Sequence, residues 1–144
     1  MRRNFLSKRW NLSDLYPKQF FERADTTPDE NFYAVPRFVN HIDEKTIEAI
    51  TSFYEDYLVP ETAFVDLMSS WVSHLPASIK LKEVVGLGLN NDELKANNRL
   101  DRFIVHNLNH TPEIPLASAA YDTVAVVVSV QYLVRPYEVF QSAH

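Results

Sequence analysis

The residues best placed to do chemistry lie in "FVDLMSSWVSHLP", from Phe64 to Pro76. An apolar run closes on an acid, Asp66, at the point where an open α/β sheet commonly turns into a glycine-rich loop that cradles a cofactor. No glycine follows; Met68, Ser69 and Ser70 fill the turn instead. Two readings of Asp66 compete, a contact to a bound molecule and a carboxylate that caps the next turn with no ligand at all. Ser69, Ser70 and Ser73 stand near His74, but the G-x-S-x-G elbow that would arm a serine nucleophile is absent, which sets a hydrolase aside. His74 therefore reads as a packed or surface histidine. His106 and His110 are four apart, a metal-pair spacing on a helix, yet they flank the end of a β-type run and no third ligand accompanies them. The chain has two glycines, Gly86 and Gly88, both inside "EVVGLGL", so neither a P-loop nor a dinucleotide fingerprint is present. There they read as places where a helix packs closely on a strand.

Composition narrows the field further. The 144 residues suffice for one domain with a real core, since a chain of that size buries roughly 70% of its unfolded surface. Cysteine is absent, which removes disulfides, thiolate catalysis and cysteine-ligated metal. A formal charge of -5 gives no broad field for nucleic acid. The most apolar run, Val124 to Val130, is far shorter than the roughly 20 residues a membrane helix needs. The expectation is a soluble or peripheral protein, without a membrane span, of the cytoplasm or of an organelle such as a plastid or mitochondrion. Arg2, Arg3, Lys8 and Arg9 make the first ten residues basic, which suits a targeting remnant or an arm that docks on an acidic partner.

These residues must be positioned by the elements around them. Residues 1–42 mix aromatics with Pro17, Pro28 and Pro36 and hold no sustained period, so they read as an arm with short helical turns laid over the domain. Asp43 stands as an N-cap before "EKTIEAITSFYEDYL", whose Ile47, Ile50, Phe53, Tyr54, Tyr57 and Leu58 share one helical face and predict a core helix, stopped by Pro60. Four β-type runs follow: "TAFVDL", "EVVGLGL", "RFIVHNL" and "TVAVVVSV". The last is β-branched throughout, the pattern of a strand covered on both faces. Crossover segments fit between them at 69–80 and 91–100, and "NHTPEIPLASAAYD" reads as a loop. The alternation predicts a doubly wound α/β sheet over residues 43–144.

Five blocks then carry a resemblance: "FYAVPRFVNHID", "FVDLMSSWVSHLP", "VVGLGLNNDELKAN", "VHNLN" and "YDTVAVVVSVQYLVRPYEVF". In this order the chain resembles class I S-adenosylmethionine-dependent methyltransferases of the methyltransferase type 11 kind. The resemblance implies a three-layer, Rossmann-like, mostly parallel sheet of order 3-2-1-4, with S-adenosylmethionine across the carboxyl ends of its strands. It implies that Asp66 closes the first strand and that Met68, Ser69 and Ser70 pass the methionine part of the cofactor. Asn90 takes the position of the acid that usually holds the ribose hydroxyls, and Asn107 and Leu108 lie near the adenine. Ser129, Val130 and Gln131 fall beside the reacting centre, while Tyr33 and Arg37 close over the pocket.

The same resemblance carries departures. Neutral Asn90 and Asn107 stand where relatives tend to have acids, and a neutral amide forgoes the charge-assisted bonds of a carboxylate. Relatives also continue beyond "RPYEVF" into further strands, so "TVAVVVSV" is expected at a sheet edge, covered by a protein partner or by a missing C-terminal part. Two functions are therefore expected, methyl transfer to an acceptor the residues do not name, or a non-catalytic subunit that joins a larger assembly through its arm and open edge.

Overall fold

A computed structural model describes residues 16–144, so the basic residues Arg2, Arg3, Lys8 and Arg9 lie outside the described residues. Among the described residues the order is a 3-10 turn (Lys18–Phe21), α1 (Asp29–Phe32), α2 (Glu44–Tyr57), β1 (Ala63–Leu67), β2 (Glu83–Gly88), α3 (Asn91–Ala96), β3 (Arg102–Val105), β4 (Thr123–Val126), a second 3-10 turn (Val130–Tyr132) and α4 (Pro136–Ala143). The four strands form one parallel sheet in the order β3-β2-β1-β4. Asp66 pairs in register with Gly86 on one side and Ala125 on the other, so the centre of β1 is the centre of the sheet. The sheet is open. No strand among the described residues pairs with the outer edge of β4 or of β3.

Both faces of the two central strands are buried, which is why β1 and β2 read as unbroken apolar runs. On one face Phe64 and Val84 pack with Tyr54 from α2, with Leu58 just past its end, and with Leu75 and Ile79 from the segment after β1. On the other, Val65, Leu67, Val85 and Leu87 pack with Leu108, Leu133 and Val139, the last from α4. The α2 helix begins where the sequence places it, with Asp43 Oδ1 accepting from the Thr46 amide at 2.8 Å.

Residues 69–80 cross over from β1 to the parallel β2 as expected, and do so without regular structure: Ser69 and Ser73 turn inward to Asp66, and Met68 and His74 adopt left-handed backbone with φ of 56° and 53°. Two expectations need correction. The aromatic face of α2 is not core throughout. Tyr54 is 4% exposed, but Phe53 and Tyr57 stack on one another in solvent with centroids 5.4 Å apart. Finally, β4 ends at Val126, two residues before Val128 turns left-handed (φ 62°), and none of its four residues is fully buried. The "NHTPEIPLASAAYD" segment is a loop, as its prolines require.

Candidate functional site

The carboxyl ends of all four strands open into one cavity of about 860 Å3. It lies where the chain order reverses about β1, the place where open parallel sheets take their ligands.

Its floor is the turn after β1. Asp66 is 6% exposed, and its Oδ2 accepts from the hydroxyls of Ser69 at 2.7 Å and Ser73 at 2.6 Å. Among the described residues its other oxygen accepts no hydrogen bond, while the residue lines the cavity. Burial pushes the Asp66 carboxyl up to about 6, against the opposing pull of the Ser73 and Ser69 hydroxyls. The network continues through buried Asn97, whose Nδ2 donates to Ser73 Oγ at 2.8 Å and to the Ser70 carbonyl at 3.0 Å.

The missing glycine has a structural answer. Met68 takes the left-handed conformation itself, a costly state for a side-chain-bearing residue and one concentrated at functional turns. Close approach is supplied from the neighbouring strand, where a methyl on Gly88 would collide with the Ser69 carbonyl oxygen. Ser69 also donates its amide to the Leu87 carbonyl at 2.7 Å, so the turn lies back over the end of β2. Gly88 also lets Leu94 of α3 pack closely, its Cδ2 3.1 Å from where a methyl would sit, as the sequence suggests for a helix on a strand, whereas Gly86 makes room for the non-helical Leu100 side chain.

Asn90 caps α3. Its Oδ1 accepts from the amides of Asp92 and Glu93, each at 3.0 Å, and its Nδ2 donates to the Tyr33 carbonyl at 2.8 Å. The carbonyl end of this side chain is thus taken up by the helix rather than left for ribose hydroxyls. Asn107 likewise accepts from the amide of Asn109 at 2.9 Å and donates to Glu30 Oε1 at 2.7 Å. That bond holds the exposed Glu30 carboxyl below its ordinary range. Leu108 is buried in the core beneath. Across the cavity Ser129 donates to the Val127 carbonyl at 3.2 Å and Gln131 to that of Val128 at 2.9 Å.

Tyr33 and Arg37 reach the cavity from residues 23–42. Burial raises the Tyr33 phenol. The Arg37 guanidinium lies 3.8 Å from the centroid of the Phe32 ring, and its amide donates to Glu93 Oε1 at 2.8 Å. All eleven residues assigned to cofactor contact line this one cavity: Tyr33, Arg37, Asp66, Met68, Ser69, Ser70, Asn90, Asn107, Leu108, Ser129 and Gln131. Val130 does not.

Other cavity residues escaped sequence reasoning. Glu93 is 6% exposed and accepts from Ser70 Oγ at 2.6 Å. An acid in the first turn of a helix ordinarily reads as a partner for the helix dipole, so nothing in its spacing marks it. Asp29 is buried too, held by Arg23 at 2.6 Å and Asn109 at 3.0 Å. His74, expected at the surface or in packing, lines the cavity, and burial lowers its basicity. His106 Nε2 meets the Thr111 carbonyl at 2.8 Å, and among the described residues no cluster of three His, Asp or Glu is placed to hold a metal. Nor is any helix among them long and apolar enough to cross a membrane.

Comparison of the chain with protein-family models, curated proteins and solved structures finds no match.

Proposed function

We propose that the cavity binds S-adenosylmethionine and that the protein is a methyltransferase-like enzyme. The observation that carries this reading is the convergence of eleven residues, drawn from five separated sequence blocks, on one cavity at the carboxyl ends of a parallel sheet. Methyl transfer asks little of general acids or bases: an acceptor atom attacks the methyl carbon, the carbon–sulfur bond breaks, and the work is alignment. The residues here suit alignment. The unbonded oxygen of Asp66 would take a donor such as the cofactor's ammonium, and the Ser69 and Ser73 hydroxyls hold that carboxylate in place. Arg37 supplies a cation and Phe32, Tyr33 and Trp71 supply apolar walls. Ribose contact falls to the remaining Nδ2 hydrogen of Asn90, a weaker hold than a carboxylate gives.

Titration calorimetry with S-adenosylhomocysteine tests the proposal. Saturable heat at one molecule per chain supports it, and a folded chain that gives none overturns it.

A second reading, a subunit completed by a protein partner, is favoured by the β4 edge. Among the described residues that strand pairs only with β1, and Val124 on it is 37% exposed. Under that reading the isolated chain elutes as oligomers in size-exclusion chromatography, whereas a self-sufficient chain elutes as a monomer.

A further inference from the structure

Residues 23–42 cross the carboxyl ends of β1, β2 and β3 as a strap, and the anchors that hold it are polar. Asp29 accepts from Arg23 and from Asn109, Glu30 accepts from Asn107, and the Tyr33 carbonyl accepts from Asn90. Further along, the Arg37 amide donates to Glu93 and Trp71 Nε1 donates to the Val39 carbonyl at 3.1 Å. The strap's large apolar side chains stay half or more exposed even with the strap in place: Phe32 is 56% exposed, Val35 67%, Phe38 51%, its ring edge-on to Trp71, and Val39 52%. Asp29 is its one buried residue.

A segment held this way differs in kind from the sheet beneath it. When it lifts, protein hydrogen bonds are exchanged for bonds to water and little apolar surface is newly wetted, so it can part while the core stays folded. Glu93 occupies the joint. One oxygen of its carboxylate takes the Arg37 amide from the strap, and the other takes the Ser70 hydroxyl from the turn after β1. Roof and floor of the cavity thus meet on a single buried side chain.

We infer that residues 23–42 are a gate over the cavity that opens as a unit from an intact sheet, and that Glu93 is the positioning residue that ties its closing to the turn after β1. The inference rests on the cavity's walls and is independent of which small molecule enters.

Amide hydrogen exchange of the full chain, followed by NMR without ligand, tests it. The Arg37 amide reports the closed gate, and the Val65 and Val85 amides report the sheet. In the wild type the Arg37 amide exchanges about a hundredfold faster than those of Val65 and Val85, as expected for local opening. Glu93→Ala speeds Arg37 exchange by about a further tenfold, the loss of one charge-assisted bond, with the sheet amides unchanged. Glu93→Gln, which keeps an acceptor oxygen, restores a rate near the wild type. Equal exchange of Arg37 and the sheet amides in the wild type would overturn the gate, and that comparison needs no variant to fold. Glu93→Gln matching Glu93→Ala, or a shift of every amide together, would overturn the role of Glu93. Because no ligand takes part, either result is separable from a failure of the cofactor proposal.

Discussion

Ser73 lies seven residues beyond Asp66, and its hydroxyl donates to the Oδ2 of that buried carboxylate over 2.6 Å while accepting from Asn97. This pair, with Ser69, holds the turn after β1 in place of a helix. Asp66 is therefore a structural residue as well as a candidate ligand contact. Asp66→Ala should lower stability by about 1 to 3 kcal/mol, because two buried hydroxyls lose their acceptor. Chemical denaturation of the variant measures this. An unchanged midpoint would mean that the turn does not depend on the carboxylate.

The raised Asp66 pKa gives a pH dependence whose sign is opposite to that of most carboxylates. Between the ordinary aspartate value near 4 and the folded value of about 6, the native state holds more protons than the unfolded chain. Stability from this group is present at low pH and is lost as pH rises through that window, by at most about 1.4 kcal/mol per pH unit. His74, whose basicity burial lowers, acts oppositely as pH falls below the ordinary histidine value. The contribution of Asp66 is isolated by subtracting the stability profile of Asp66→Asn from that of the wild type. The difference should fall from pH 4 to pH 6 and then level; a difference that rises would contradict the assignment.

The two glycines should respond unequally to alanine. A methyl at Gly86 meets the Leu100 Cδ1 at 2.5 Å, the far end of a side chain that can turn away. At Gly88 it meets the backbone of Ser69, which cannot move without shifting the cavity floor. Gly88→Ala should cost about 1 to 3 kcal/mol, the range for overpacking, and Gly86→Ala less. Melting temperatures of the two variants decide the order.

Asn90→Ala removes the acceptor of two α3 amides and should cost about 1 kcal/mol. Asn90→Asp keeps that acceptor, adds charge at a helix start where it is favourable, and loses the donor to the Tyr33 carbonyl. It should hold stability near the wild type. If Asn90→Asp is as damaging as Asn90→Ala, the tie to Tyr33 outweighs the cap.

Much of the framework was legible because its determinants are local. Asp43 and the period of "EKTIEAITSFYEDYL" mark α2, and the unbroken apolar runs of β1 and β2 mark strands buried on both faces. The site was less so. Serines in 69–80 carry no signal for the distant partners they bond, and only the folded sheet brings Asn97 to Ser73 across 24 residues. Phe53 and Tyr57 satisfy helical spacing, yet the core reaches only as far round α2 as Tyr54 and Leu58, a boundary fixed by tertiary packing. Glu93 and Asp29 look like ordinary helix-start acids and become cavity residues only through what folds over them.

The most direct test of the cofactor site is to titrate S-adenosylhomocysteine into the full chain and follow backbone amides by NMR. Binding at the strand ends predicts shifts concentrated on Asp66 to Ser70, Gly88 to Asn90, Asn107, Leu108 and Ser129 to Gln131, with Phe53 and Tyr57 on the outer face of α2 unmoved. A folded chain whose strand-end amides stay still under saturating ligand, or whose shifts gather on α2 instead, would contradict it.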